Sequence, residues 1–300
     1  MSGAGDAGPT SEDLARSFES HRGRLRAVAY RMLGSLSEAD DAVQETWLRL
    51  SRSDTSEVNN PGAWLTTVVG RICLDMLRSR TSRREEPLDT HVPDPVIGRI
   101  DPEEEVVRAD SVGLALLIVL DTLDPAERLA FVLHDMFAVP FDDIAPVVGR
   151  SPAATRQLAS RARRRVRDAA PAADPDLSRQ RRVVDAFLAA SRGGDFEALV
   201  SLLHPDVVLR ADSGALVDGG AVSKLVRGAQ DVAQQALLFR QFAGVARPAL
   251  VNGAVGVVTA PDGQPMAVMA LTIVDGRIVA MDILSDPERL ARLDYGGLLD

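Results

Sequence analysis

The stretch PFDDIAPVVGRSPAATRQLASRARRRVR, residues 140–167, predicts a helix-turn-helix. Its first part carries four apolar residues at helical spacing: Phe141, Ile144, Ala145 and Val148. Gly149 follows as a stop signal, and Ser151-Pro152 has the form of an N-cap followed by proline at the first helical position. Pro146 removes a backbone donor inside the first helix, so we expect a kink or an early end there.

The second helix concentrates positive charge in a chain whose net charge is −9, because residues 150–167 contain seven arginines and no acid. An apolar stripe of Leu158, Ala162 and Val166 lies opposite an arginine face, so the helix can dock on its own domain and present charge outward. In a helix-turn-helix the first turns of this helix meet base edges in the major groove. The candidates for that role are Ser151, Ala153, Ala154, Arg156, Gln157 and Ser160.

Within this helix, Arg156 and Gln157 have the chemistry to read guanine and adenine. Four arginines farther along are predicted to meet phosphates: Arg161, Arg163, Arg164 and Arg167. The alternative interpretation is an exposed, solvated helix. The preceding helix and turn favour DNA binding.

Composition limits the other functional classes. The 300 residues allow two or three domains, and no run of about 18 apolar residues predicts a membrane span. Cys73 is the only cysteine, which excludes an internal disulfide, and the small, acidic N-terminus lacks the features of a signal peptide. The four histidines lack metal-ligand spacing. We therefore expect a cytoplasmic protein without a metal or cofactor.

The pattern along the chain predicts three folded parts. Residues 12–80 and 106–170 are helical, and residues 81–105 between them form a linker with four prolines and an acidic run. Residues 178–290 change to helices followed by strands, and residues 291–300 form a tail.

The first helical part carries one acidic and one basic surface. On the helix of residues 37–50, the cluster around Asp41, Gln44 and Glu45 lies away from the apolar stripe, although such a face is often only solvated. On the helix beginning at Pro61, Thr67, Arg71 and Arg78 share a polar face, and a basic cluster includes Arg78 and Arg80. Asn59 and Asn60 end the polar loop between these helices and have the chemistry to bind an unstacked base, although turn residues need no such role.

These segments in this order resemble an RNA polymerase sigma factor of the extracytoplasmic-function group. SEADDAVQETWLRL is similar to that family's polymerase-clamp helix, PGAWLTTVVGRICLDMLRSR to its −10 recognition helix, and residues 120–167 to its −35 recognition domain. The resemblance implies that Asp41, Gln44 and Glu45 bind core RNA polymerase and that the loop of residues 51–60 holds a flipped −10 base. It also implies that the linker threads the polymerase active-site channel.

The C-terminal part predicts an α+β cone. Asn252-Gly253 and Asp275-Gly276 are strong signals for two-residue hairpin turns between apolar runs. This part resembles the SnoaL-like (NTF2-like) fold, so the expected architecture is two all-α sigma domains followed by an α+β cone. Some relatives of the cone are enzymes, and the candidate catalytic residues here are His204, Asp206, Asp212 and Asp282. Their spacing reveals no acid–base pair, and we expect a non-enzymatic domain.

The combination resembles the sigma-J-like group, whose C-terminal domain regulates the sigma core in cis. Three motifs carry this resemblance: HVPDPV at 91–96, which contains Pro93 and Pro95; Asp218-Gly219-Gly220; and residues 286–290, which include Asp286, Pro287 and Leu290. The resemblance implies an intramolecular contact between the cone and the sigma domains or their linker. It leaves open whether the cone binds a small molecule.

Two other functional classes remain open from the residues alone. One is a one-component helix-turn-helix regulator with a ligand-binding cone, which leaves the first 80 residues unexplained. The other is an NTF2-like enzyme with a DNA-binding appendage. Run-off transcription with core polymerase separates the first from a sigma factor, since a repressor cannot initiate by itself.

Overall fold

The computed structural model describes residues 11–53, 60–82, 90–100, 113–169, 173–214 and 223–299. They belong to two compact units, each assembled from two stretches of chain. The helical unit combines Met1–Glu86 with Leu120–Arg167, and the cone unit combines Pro87–Val119 with Asp168–Asp300. The chain therefore leaves the helical unit, contributes a segment to the cone unit and returns.

Two groups of helices make up the helical unit: α1 to α3, and α4 to α7. Their bounds are α1 Ser11–Leu33, α2 Leu36–Leu50, α3 Pro61–Ser82, α4 Leu114–Asp121, α5 Pro125–Phe131, α6 Phe141–Val148 and α7 Pro152–Ala169. A π-helical turn, Val132–Met136, follows α5 directly and precedes α6. Only the end of α4 belongs to this unit. No helix within the described ranges is both long and apolar enough to cross a membrane.

The two groups of helices share one core. A Cβ added to Gly70 on α3 would lie 3.0 Å from a methyl carbon of Leu133 and 3.1 Å from one of Leu129, so glycine permits this close approach. Arg128 on α5 is 2% exposed and donates to the carbonyl oxygen of Arg31 on α1, from Nε at 3.1 Å and from Nη2 at 3.0 Å. A buried guanidinium with these partners joins α5 firmly to α1.

A curved sheet packed against helices forms the cone unit. Its strands are β1 Ile97–Gly98, β2 Leu203–Asp212, β3 Lys224–Arg227, β4 Ala246–Val251, β5 Ala254–Thr259, β6 Ala267–Val274 and β7 Arg277–Leu284. Its helices are α8 Leu177–Gly193, α9 Phe196–Leu202, α10 Ala229–Leu238 and α11 Pro287–Leu290. The strand order is β1-β4-β5-β6-β7-β2-β3, in which β2 and β7 are parallel and the other pairs antiparallel.

The two predicted hairpin turns are confirmed. Asn252 and Gly253 have φ values of 50° and 80°, and Asp275 and Gly276 have 50° and 75°. Positive φ at both central residues is the type I′ geometry that matches strand twist. These turns join β4 to β5 and β6 to β7, which fixes the register of both hairpins.

Some local predictions were wrong or incomplete. Helix α6 does not end early at Pro146, because it continues to Val148 and closes on Gly149 in the left-handed conformation. Strands β1 and β3 were not predicted, since two and four residues are too short to give a periodic signal. Each pairs at an edge of the sheet that other strands have already formed.

Candidate nucleic-acid interface

The start of α7 is built as predicted. Ser151 Oγ accepts a hydrogen bond from the backbone N–H of Ala154 at 3.2 Å, which confirms the N-cap. Thr155 Oγ1 donates to the carbonyl oxygen of Ser151 at 3.0 Å. Ala159 and Ala162 are fully buried, so small side chains set the depth at which α7 packs. The N-terminal turns of the helix are thereby held rigidly at the surface.

The predicted DNA-facing residues lie on this one helix, and most are exposed. The exposed members are Ser151, Ala153, Arg156, Gln157, Ser160, Arg161, Arg163, Arg164 and Arg167, and Ala154 is half-buried. Their common surface is what a major-groove reader requires.

Acidic side chains of the same unit already engage several arginines of α7. Arg163 donates to Asp135 Oδ1 from Nε at 3.0 Å and from Nη2 at 2.6 Å. Arg161 and Arg165 lie 3.9 Å and 3.2 Å from carboxylate oxygens of Glu127, which is buried. The positive charge of α7 is therefore partly balanced within the unit.

The predicted −10 residues divide into exposed and structural members. Arg71 and Arg78 on α3 are exposed, whereas Arg80 pairs with Glu38 and donates to the carbonyl oxygen of Leu33 at 3.4 Å. Thr67 Oγ1 donates to the carbonyl oxygen of Trp64 at 2.7 Å. Arg80 thus has a role within the fold that its sequence neighbours do not indicate.

The predicted −10 loop is described only at its end. Asn60 Oδ1 accepts from the backbone N–H of Ala63 at 3.1 Å, which is an N-cap contact for α3. Asn59 lies outside the described residues.

The predicted polymerase-binding face lies on α2. Asp41 and Gln44 are exposed, and Glu45 is half-buried with Oε1 accepting from Arg49 Nε at 3.1 Å. Leu48 is 37% exposed one turn farther on the same face. An apolar residue beside acidic groups gives this face mixed chemistry that suits a protein partner.

The linker motif HVPDPV docks within the cone unit. We call residues His91–Val96 the strap. Four of its residues are buried, from Val92 through Pro95, and include both predicted prolines, Pro93 and Pro95. Arg289 of α11 holds it, since Nε donates to Asp94 Oδ1 at 2.7 Å and Nη2 donates to the carbonyl oxygen of Val92 at 2.6 Å.

A second acidic group completes the first attachment of the strap. Asp212 Oδ2 accepts from Arg289 Nη1 at 2.8 Å and from the backbone N–H of Val92 at 3.0 Å, and lies 3.2 Å from His91 Nδ1. Burial opposes ionisation of Asp212, but its bonds from His91, Val92 and Gly214 and the charge of Arg289 together lower its pKa below the usual value.

The opposite end of the strap is attached to the β4–β5 turn. The Val96 N–H donates to Asn252 Oδ1 at 3.0 Å, and the Asn252 N–H donates to the carbonyl oxygen of Val96 at 2.8 Å. Strand β1 then pairs with β4, with Ile97 opposite Val251. The strap is therefore held at both ends. Its backbone as well as its side chains make the contacts that hold it.

The terminal motif supplies the residue that holds the strap. Asp286 Oδ1 caps α11 by accepting from the N–H groups of Glu288 at 2.9 Å and Arg289 at 3.3 Å. Pro287 opens the helix and Leu290 is 1% exposed, so the motif anchors α11 in the core. The Asp218-Gly219-Gly220 motif lies outside the described residues.

Sequence reasoning missed the residues that form the attachment: Asp94, Asn252 and Arg289. It considered Asp212 only as a catalytic candidate. Opposite charges in the linker and terminal motifs were the available signal, but spacing along the chain does not reveal which charges meet.

The candidate catalytic residues of the cone make three separate sets of contacts: Asp212 with the strap and Arg289, Asp282 with Arg210, and His204 with Asp206. Asp282 is 1% exposed and lies 3.1 Å from Arg210 Nη1. Burial raises the pKa of Asp282 to about 6, against the opposing effect of Arg210. His204 Nδ1 accepts from the backbone N–H of Asp206 at 3.1 Å, which is a turn contact.

The cone unit also contains an open cleft of about 570 Å³, which other residues line. Its polar lining comprises Ser201, Gln230, Asp231 and Arg277, and the four candidates are not among its lining residues. Among the described residues, no group of three or more His, Cys, Asp or Glu side chains is placed to hold a metal ion.

Comparison with known proteins assigns both helical groups. Residues 17–83 match the family Sigma-70 region 2, and residues 114–166 match Sigma-70, region 4. The chain is 43% identical over 290 residues to the ECF RNA polymerase sigma factor SigJ of Mycobacterium tuberculosis, covering 91% of each chain. It is 34% identical over 294 residues to the probable ECF RNA polymerase sigma factor SigI of that organism, covering 95% of this chain and 98% of that one.

A solved structure extends the likeness to the whole fold. The crystal structure of Mycobacterium tuberculosis SigJ superposes with a TM-score of 0.73 at 38% sequence identity. The match covers 94% of this chain and 99% of that one, and so includes the cone unit as well as the helices.

Proposed function

The chain belongs to the extracytoplasmic-function RNA polymerase sigma factors, which direct promoter-specific transcription initiation, and we propose that its cone unit regulates this activity in cis by holding the strap. Membership confirms the resemblance and the fold class expected from the sequence. Core RNA polymerase and promoter DNA are accordingly its partners, and the cytoplasm, where they reside, is its place of action.

The geometry supports a division of roles within the helical unit. Asp41, Gln44 and Glu45 on α2 contact polymerase, with Leu48 as an apolar addition. On α3, Arg71 and Arg78 are exposed cations available for −10 DNA, Asn60 and Thr67 lie near the start of the helix, and Asn59 precedes them in sequence. Arg80 contributes to this surface through the fold rather than by direct contact, because it is engaged with Glu38.

The −35 element is read by the first turns of α7. Arg156 and Gln157 meet base edges, flanked by Ser151, Ala153, Ala154 and Ser160. Arg164 and Arg167 meet phosphates, and Arg161 and Arg163 do so by exchanging their carboxylate partners for phosphate oxygens.

Regulation follows from competition for the linker. A linker that threads the polymerase active-site channel must be free along its length, whereas the strap is held at both ends by the cone unit. The two states exclude each other, so any condition that weakens the attachment favours productive engagement with polymerase. The cone then acts through binding, and its Arg210–Asp282 pair is structural rather than catalytic.

The observation that carries this proposal is the set of three strong hydrogen bonds from Arg289 to Asp94, Val92 and Asp212. Arg289 is partly exposed, but its two carboxylate partners are buried, so removing it costs up to about 3–5 kcal/mol because those charges lose their cation. Arg289→Met keeps an unbranched apolar side chain but removes every donor. We expect this variant to release the strap.

The test is run-off transcription with purified core polymerase and full-length protein, with mapped start sites. We expect Arg289→Met to raise initiation at the same start sites, and Arg292→Met, at an exposed position three residues on, to leave it unchanged. Wild-type protein that gives no specific start site would refute the assignment of function. If wild type and Arg289→Met give the same specific start sites with equal yields, the assignment of function stands and only the proposed regulation by the strap is refuted.

A further inference from the structure

Arg156 differs from its neighbours on α7 in the kind of contact that holds it. Carboxylates bind the guanidinium groups of Arg161, Arg163 and Arg165. The guanidinium carbon of Arg156 instead lies over the ring of Phe141, 5.2 Å from its centroid. Phe141 is the first residue of α6, so the contact joins the two helices of the helix-turn-helix.

The chemical consequence concerns the N–H donors. A carboxylate that accepts two N–H groups, as Asp135 does from Arg163, occupies the fork that would otherwise read a base. A cation–π contact uses the charge of the guanidinium and leaves its N–H edge available. Arg156 is therefore restrained before DNA arrives while it keeps the donors that guanine O6 and N7 accept.

The ring of Phe141 is itself held in place. His134 stacks on it with ring centroids 3.8 Å apart and an angle of 11° between the planes. His134 lies in the π-helical turn, whose neighbouring residues Val132 and Leu133 are fully buried. The core of the unit thus fixes His134, His134 packs on Phe141, and Phe141 restrains Arg156.

We propose that Phe141 is a positioning residue for −35 recognition, which orients Arg156 to read a guanine in the major groove. This rests on the proposed function, since it assigns α7 to the −35 element. Ordering a long side chain before binding removes part of the entropy cost of association. The gain is expected only at the base that Arg156 reads.

The test uses holoenzyme reconstituted from core polymerase and full-length protein, with a pool of linear templates randomised in the promoter, each of which carries a unique barcode in its transcribed region. Sequencing the barcodes in the transcripts gives the base preference at each promoter position. Arg156→Ala identifies the position that Arg156 reads. Phe141→Leu and Phe141→Met remove the ring in two shapes, and Phe141→Tyr retains it.

We expect both ring-removing variants to lose about 2- to 5-fold in preference at the position identified by Arg156→Ala, with −10 preferences unchanged. Phe141→Tyr should behave as wild type. Neither Phe141→Leu nor Phe141→Met should have a further effect in the Arg156→Ala background, because the two residues act as one unit. Thermal melting identifies which of the two ring-removing variants folds as wild type does. The base preference measured with that variant decides whether Phe141 positions Arg156.

Three results would overturn the inference while leaving the proposed function standing: no −35 position that depends on Arg156, an undiminished preference in the folded ring-removing variant, or an equal loss at −10 and −35. An additive effect in the Arg156→Ala background would also overturn it. If wild-type holoenzyme enriches no promoter element at all, both the inference and the proposed function fail.

Discussion

Asp282 links the stability of the cone unit to pH, because its carboxylate is 1% exposed and its pKa is raised from 3.8 to about 6. A raised carboxyl pKa in the folded state favours the protonated form. The stabilisation is therefore complete below about pH 4 and is lost as pH rises through about 6. The free energy of unfolding should fall over this interval by up to about 3 kcal/mol.

Asp282→Asn should abolish that slope, since an amide does not ionise, while the exposed Asp231→Asn should retain it. Urea denaturation between about pH 4 and 7 measures the slope directly. An unchanged slope in Asp282→Asn would mean that other groups cause it. The depressed pKa of Asp212 acts in the opposite direction, because its stabilisation is lost only as pH falls through that lowered value.

Gly256 shows a packing constraint at a single residue of β5. A Cβ there would lie 2.5 Å from the carbonyl oxygen of Met269 and 2.6 Å from Val251 Cγ2. The first neighbour is backbone of the adjacent strand, and the second belongs to a side chain that is 2% exposed, so neither can move freely. Gly256→Ala should cost about 1–3 kcal/mol in stability by overpacking. Gly244→Ala, where a Cβ meets nothing within 4 Å, should be nearly neutral in the same melts.

The N-cap of α7 stabilises the first turn of this helix. Ser151→Ala removes the acceptor for the Ala154 N–H and should destabilise the helical unit by about 0.5–2 kcal/mol. Ser151→Asn restores an N-cap acceptor and should recover most of that loss. Thermal denaturation followed by circular dichroism measures both. Equal midpoints for Ser151→Ala and wild type would show that Pro152 and the packing of α7 suffice.

Elements with a local cause were predictable from the sequence, and elements with a tertiary cause were not. The Ser151 cap and the Asn252-Gly253 and Asp275-Gly276 turns depend on a few adjacent residues, and each formed as expected. Strand β1 exists because β4 offers an unpaired edge, which no local pattern encodes.

The candidate sites follow the same division. The arginine face of α7 is visible in the sequence, because helical periodicity fixes which residues share a surface. The partner of Arg289 is not, because Asp94 is 195 residues away along the chain. The engagement of Arg80 by Glu38 was hidden for the same reason.

At the scale of the whole molecule, the order of chain segments constrains how the two promoter readers separate. The strap lies between α3 and α4 in sequence but belongs to the cone unit. A segment of the connection between the two proposed promoter readers is therefore part of the cone unit, whose larger part follows α7 in sequence. In the free protein those readers share a core through Gly70 and Leu133.

We expect the two proposed readers to part on promoter DNA, because −10 and −35 elements lie roughly 25 base pairs apart, about 85 Å at 3.4 Å per pair. We expect dyes at Ser79→Cys on α3 and Asp142→Cys on α6, both exposed, to show high energy transfer in the free protein. The native Cys73 is buried, with its pKa raised to about 12 by burial, so it stays unlabelled. Transfer should drop when holoenzyme binds promoter DNA, and a non-promoter duplex of equal length serves as the control. High transfer retained in a complex that initiates transcription would show that one compact unit reads both elements.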